Sequence, residues 1–363
     1  MKRIYLFLTA CCLISFPALA QHANITLKSQ FQLGSNTSNI WGYAKGGKEY
    51  ALVGLTGSAG HDVACAIVDV TNPTAPVLLH TIPGPNSIWR EIRTWGDYAY
   101  ITTEAGGGVT IVDLSQLPAS INTKMITEVS AIHALHIDNG YLYLYGGDSQ
   151  VSLGGIYVLD LTDPWNPVFA GRYNANYVHD GIVRNNLAFA GEIYHGRFAV
   201  IDFTDKANPV VITSQKTPNQ FTHNTWLSSD SKYLYTTDER SDSYVTSYDV
   251  SDLNNIILLD QYRRKNANGA TPHNTYVLND EQVTGFGTDF LVTSYYTEGV
   301  TVVDAHRPDN LVEIGNYDTS PRSGPDLNGA WGVYPYLPSG NLLVSDMEMG
   351  LFVLAVQYQR AAY

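Results

Sequence analysis

Ala66-Ile67-Val68-Asp69-Val70-Thr71-Asn72-Pro73 is an apolar, β-branched run followed by an aspartate, one more apolar residue, a hydroxyl and a turn-forming pair. The phrase returns as Thr110-Ile111-Val112-Asp113-Leu114-Ser115, as Tyr157-Val158-Leu159-Asp160-Leu161-Thr162-Asp163-Pro164 and as Ala199-Val200-Ile201-Asp202-Phe203-Thr204-Asp205. Weaker copies are Ser247-Tyr248-Asp249-Val250-Ser251-Asp252 and Val302-Val303-Asp304-Ala305. Successive aspartates of the phrase lie 42 to 55 residues apart. That period accommodates four short strands per repeat, and such repeats close into a β-propeller.

Each part of the phrase has a local reason. β-branched and aromatic residues make the strand. The aspartate and the Ser/Thr-Asp/Asn behind it bond nearby backbone amides and close a turn. Ala75-Pro76-Val77, Asn166-Pro167-Val168 and Asn208-Pro209-Val210 then lead into an outer strand, where an edge position can spare the N–H that proline lacks. These aspartates are expected to be structural.

Upstream of the phrases lie paired strands joined by polar turns, as at Asp138-Asn139-Gly140 before Tyr141-Leu142-Tyr143 and at Trp95-Gly96-Asp97 before Tyr98-Ala99-Tyr100. Six such units run from about Trp41 to Asn328, and a seventh, from Gly329 to Leu354, lacks an outer strand. The segment Ile25 to Leu33 alternates Ile25, Leu27, Ser29, Phe31 and Leu33 with polar Thr26, Lys28, Gln30 and Gln32, the period of a half-buried strand. It is expected to complete the last blade and close the ring. The expectation is an all-β, single propeller of seven four-stranded blades, six or eight being the neighbouring counts. No helical period and no linker divides the chain.

Lys2 and Arg3, an apolar run from Ile4 to Pro17, and Ala18-Leu19-Ala20 read as a secretory leader over residues 1–20, with the propeller occupying 21–363. Leu8-Thr9-Ala10-Cys11 offers a lipobox as the rival, but Cys12 to Ala20 is apolar where a polar tether would be needed. Cleavage near Ala20 would place the protein outside the cytoplasm: secreted, periplasmic or at the cell surface. Cys65 is then the one remaining thiol, so no intramolecular disulfide forms. The formal net charge is −13 and grows more negative once Lys2 and Arg3 leave. That balance speaks against nucleic acid and polyanionic partners. No later stretch has the ~20 apolar residues of a membrane helix.

Asn39-Ile40-Trp41-Gly42, Glu49 to Leu55, Ile88-Trp89-Arg90-Glu91-Ile92 and Thr103-Glu104-Ala105-Gly106-Gly107 resemble the opening blades of the choice-of-anchor B proteins. Asn328 to Tyr336 and Ser345 to Leu354 resemble their closing blade, and the phrase itself is similar to the LVIVD repeat. The resemblance covers nearly all of the chain after the leader. It implies an exported bacterial β-propeller of a kind often fused to varied surface anchors, and it implies no reaction. This chain departs in one respect, since nothing after Leu354 reads as an anchor or sorting tail.

Aligning the blades places Arg90, His133, His179, His223 and His273 at equivalent points near the start of the innermost strands, with Gly42 and Trp331 or Gly332 in the remaining blades. Repeated residues there converge on the propeller axis. A recurrent histidine can latch one blade to the next blade's backbone. It can equally line a site: imidazoles for a divalent metal, or imidazoles with Arg90 for an anionic group. Histidines on separate blades are expected to stand far apart for one tetrahedral ion. His136 is expected to point away from His133, so the two are no chelate.

Glu104, Asp148, Glu192, Asp238, Glu239 and Asp346 follow the second strands of their blades and are expected on one rim. The ligand-binding candidates are Arg90, His133, His179, His223, His273, Glu104, Glu192, Asp238 and Trp331. Tyr43, Tyr194, Tyr295, Tyr296 and Tyr336 are expected near loops, where they can stack on sugars. The leading expectation is a monomeric binding scaffold that holds a protein, a glycan or a small polar ligand at its rim, with no cofactor identified. The alternatives are a polysaccharide lyase or hydrolase using His179, His223, Arg90 and Tyr194, and a propeller with a structural divalent metal.

Overall fold

The computed structural model describes residues 22–57, 62–147, 154–264 and 268–362; Asp148 and residues 1–20, where a leader is expected, lie outside them. The described residues form seven four-stranded antiparallel sheets. Blades 1 to 6 follow the chain. Their innermost strands are Thr37–Lys45, Ile92–Trp95, Ala134–Asp138, Asp180–Arg184, Thr222–Leu227 and Thr275–Leu278. Blade 7 is built from both ends of the described chain: Ala330–Tyr334 inside, then Asn341–Asp346 and Gly350–Val356, with Ile25–Phe31 outermost.

The outer strand of blade 7 pairs Ile25 with Val356 and Leu27 with Leu354, then slips by one residue so that Ser29 faces Val353. The slip breaks the expected alternation. Ile25 is buried while Leu27 is 44% exposed. A bulge of this kind is common on a sheet edge, where no further strand enforces the register.

Every aspartate of the repeated phrase does the same work. Asp69, Asp113, Asp160, Asp202, Asp249 and Asp304 each accept the backbone N–H two residues ahead, over 2.7 to 2.9 Å. The next acid or amide repeats the device: Asp163 accepts from Trp165 N and Asp205 from Ala207 N, both over 3.0 Å. The apolar residues before each aspartate fill the space between neighbouring sheets. Tyr143 of blade 3, for example, meets Phe203 of blade 4 edge-on at 5.4 Å. Each fully buried Val, Leu or Ile contributes roughly 1.5–3 kcal/mol. Cys65 lies in this core, and burial pushes its thiol up to about 12, so it behaves as a small apolar residue. Among the described residues no helix is long and apolar enough to cross a membrane.

Candidate functional site

One latch recurs around the axis. A hydroxyl on or just after the second strand of one blade donates to the backbone carbonyl at the ring position of the next. Thr102 bonds His133 O over 3.0 Å, Thr237 bonds His273 O over 2.6 Å, and Ser294 bonds Trp331 O over 2.9 Å. Ser345 bonds Ser38 O over 2.6 Å and closes the ring from blade 7 to blade 1. Blade 4 carries Gly191 at this point, where a Cβ would stand only 3.0 Å from the His223 carbonyl.

This pattern corrects the alignment in blade 1. The ring member is Ser38, because the strand shifts register between Thr37 and Ile40. Gly42 lies farther along, pressed against Tyr334, whose ring a Cβ would meet at 2.0 Å.

The imidazoles at these positions make further contacts of their own. His133, His179, His223 and His273 stack in an arc, with successive ring centroids 4.0, 4.2 and 4.4 Å apart. One ring also latches: His273 Nδ1 donates to Trp331 O over 2.6 Å. Nδ1 of His179 and of His223 has no partner in bonding geometry, although the next histidine's carbonyl exerts a weak pull on each. Burial pushes His179 and His223 well below the usual imidazole range, and the other rings of the arc add to it. Burial takes His273 down to about 3. His179, His223 and His273 are therefore uncharged near neutral pH.

Two carboxylates of the rim meet the arc. Glu104 Oε1 accepts from His133 Nδ1 over 2.5 Å. Glu239 lies 3.8 Å from His223 Nε2 and 3.9 Å from His273 Nε2. Tyr296 donates its hydroxyl to the other side of the set, to Glu239 Oε1 over 2.5 Å. Burial raises the Glu239 carboxyl, and this hydrogen bond opposes the rise. Tyr296 holds φ of 43°, costly for a bulky residue, and paired backbone bonds with Ala330 keep it there. His223, Glu239 and His273 offer donor atoms within 4.8 Å of one another, the one such trio among the described residues.

The arc lines a narrow funnel together with Trp89, Trp331, Glu91 and Asp180, with about 20 Å³ open to the centre of a water-sized sphere. That is room for one water or one ion. Below it the axis is plugged. Arg93 stacks on Trp41 at 4.1 Å, ion-pairs with Glu91 and approaches Tyr276. Asn39 donates to Glu91, and Asn224 donates to Asp180 over 2.7 Å. Burial raises both the Glu91 and Asp180 carboxyls, against the pull of Arg93. His136 sits in the same layer, edge-on to Trp226 at 5.6 Å.

Other residues singled out from the sequence serve the scaffold. Arg90 lines the funnel but gives its guanidinium to the carbonyls of Leu55 and Pro85, so it is no free anion binder. Asp238 turns away from the axis and accepts from Thr217, Asn219 N and Phe221 N, because neighbours along a strand point to opposite sides. Glu192 is fully buried on Tyr173, Asn176 and Arg197. Asp346 caps the turn at Glu348 and Met349 and accepts from Thr319. Tyr43, Tyr295 and Tyr296 are buried, whereas Tyr194 is 75% exposed and packs on Tyr177 at 4.9 Å.

Glu91, Arg93 and Asp180 were not among the sequence candidates. Their signal was available in Glu91-Ile92-Arg93, two opposite charges two residues apart on one face of an innermost strand.

The LVIVD repeat matches residues 62–82 and 90–127. A comparison with curated proteins finds no match. Among solved structures, the β-propeller domain of Myceliophteria thermophila Cps50 (Swd1) is similar, with a TM-score of 0.62 over 90% of this chain and 99% of that one. At 11% identity the likeness is one of fold alone. Repeat and architecture together make this chain a seven-bladed β-propeller that carries LVIVD repeats.

Proposed function

We propose that the protein is an exported, non-catalytic binding propeller of the choice-of-anchor B kind, and that its ligand site is the axial funnel. One observation carries this reading. Nδ1 of His133 and of His273 is held by Glu104 and by Trp331 O, while Nε2 of His223 and of His273 turns to Glu239, so the arc keeps imidazole nitrogens for a ligand at the mouth of a plugged channel. Uncharged His223 and His273 beside Glu239, with Glu104 on the same rim, favour a small polar or cationic group over an anion. A lyase reading would need a free guanidinium for the uronate, and Arg90 is held by two backbone carbonyls.

The test is a thermal-shift panel of neutral sugars, uronates, amino acids, amines and divalent cations, run on the wild type and on His179→Ala. A ligand at 100 times its dissociation constant stabilises by about 2.7 kcal/mol. At least one class is expected to shift the wild type and leave His179→Ala unmoved. Shifts identical in both proteins, or a uronate polymer cleaved in a His179-dependent way, would overturn the reading.

A further inference from the structure

At the rim of the funnel His223, His273 and Glu239 form a donor set with a definite chemistry. Two imidazole nitrogens and one carboxylate suit a borderline divalent transition metal, whereas Ca²⁺ and Mg²⁺ take sets made of oxygen. We propose that Nε2 of His223, Nε2 of His273 and the Glu239 carboxylate bind one divalent first-row transition-metal ion, its open positions facing up the funnel. The proposal deepens the binding reading by naming the ligand class of the same site.

Distances come first. His223 Nε2 lies 3.8 Å from Glu239 Oε2 and His273 Nε2 lies 3.9 Å from Glu239 Oε1, and one donor atom from each residue lies within 4.8 Å of the others. Bonds of 2.0–2.1 Å to a tetrahedral ion would set donors about 3.3 Å apart, so modest side-chain rotations complete the site. His223 and His273 also line the funnel, whose open space of about 20 Å³ holds one water or ion.

The surroundings orient these donors as a metal would require. His273 gives its Nδ1–H to Trp331 O over 2.6 Å, which fixes the tautomer and leaves the Nε2 lone pair for an ion. Tyr296 ties down Glu239 Oε1 over 2.5 Å, so that Oε2 is the oxygen nearest His223. Tyr296 reaches this position from a strained backbone, held between the bonds to Ala330 and the close approach of Gly329. Buried His223 Nδ1, without a partner in bonding geometry, is the nitrogen left protonated when Nε2 is the ligand.

The experiment uses the full chain, stripped with a chelator and titrated with Zn²⁺ against a chromophoric chelator and with Co²⁺ by visible absorption. One ion per chain is expected, undisturbed by millimolar Ca²⁺ or Mg²⁺. Tyr296→Phe is expected to weaken binding about 10-fold. Glu239→Gln and His273→Gln are expected to weaken it about 100-fold or more, while His80→Gln, on the outer strand of blade 1, stays within about 3-fold. Thermal melting of each metal-free variant checks the fold, and Glu239→Gln serves if His273→Gln melts early. Absence of stoichiometric binding in the wild type, or binding that survives both substitutions, overturns the proposal. A wild type without metal that still shows a His179-dependent shift with an organic ligand overturns the metal alone. An ion that binds while added azide leaves the Co²⁺ spectrum unchanged, with no ligand shift in the panel, retains the metal as a structural ion and overturns the binding reading.

Discussion

Thr237 Oγ1 donates to the carbonyl of His273 over 2.6 Å, across the seam between blades 5 and 6. The same carbonyl belongs to a residue whose imidazole reaches one blade further, to Trp331 O. Removing the hydroxyl leaves a buried acceptor without its donor, a loss of about 1–3 kcal/mol. Thr237→Val is therefore expected to lower the urea midpoint with its m-value unchanged. A midpoint equal to that of the wild type would remove the latch from the list of stabilising contacts.

Arg93 is the single cation between Glu91 and Asp180 in the plug. Arg93→Met removes the guanidinium that covers Trp41 and strands the Glu91 carboxyl, which is expected to cost about 3–5 kcal/mol. The double variant Arg93→Met/Glu91→Gln is expected to recover part of that loss, because a neutral amide suits the buried site better than an unpaired carboxylate. Equilibrium denaturation of both proteins checks it; a double variant less stable than the single one would sink the account.

The bulge in the closing strand separates two residues that look alike in sequence. Ile25→Ala is expected to destabilise by about 2–4 kcal/mol, since it removes a buried side chain. Leu27→Ser, at an exposed position, is expected to stay within about 0.5 kcal/mol of the wild type. Equal effects at the two positions would mean that the strand pairs without its slip.

Burial pushes the His136 imidazole down to about 3, Arg93 and Arg184 push the same way, and the carbonyl of Val183 opposes them. In the unfolded chain this ring titrates near its ordinary value of about 6.5. Between those values the unfolded state binds the extra proton, so stability falls as pH drops, by up to ~1.4 kcal/mol per pH unit. The raised carboxyls of Glu91 and Asp180 act with the opposite sign, so the readout is a difference between two proteins. His136→Phe keeps a ring against Trp226 and is expected to lose stability less steeply from pH 6.5 to 4. Parallel pH profiles for the two proteins would contradict it.

The architecture was legible because each blade repeats its own punctuation. An aspartate that accepts the amide two residues ahead marks the end of the third strand in six blades, and nothing distant alters that local bond. The four histidines were legible for the same reason, as a recurrence at one register. Their neighbours were harder to read. Choosing Glu239 over Asp238 depends on which of two adjacent residues faces the axis at a strand end. Placing Ser38 in the ring depends on a bulge between Thr37 and Ile40. Tyr296 reaches Glu239 only through an unusual backbone angle, and no pattern of residue types announces that. Arg90 looked available by register, yet its guanidinium turns back to carbonyls contributed by other segments.

The composite blade has a consequence for the order of assembly. Gln30 donates to the Met349 carbonyl 319 residues later, beside strands that pair Ile25 with Val356. During synthesis, the first strand must wait unpaired until Gly350–Val356 has emerged. Such distant pairing is slow, and a waiting apolar edge is open to wrong partners. The polar Thr26, Lys28, Gln30 and Gln32 keep that early strand compatible with water during the interval. The ring thus behaves as a clasp: six blades can form in turn, and the seventh closes only once Gly350–Val356 is there to receive Ile25–Phe31.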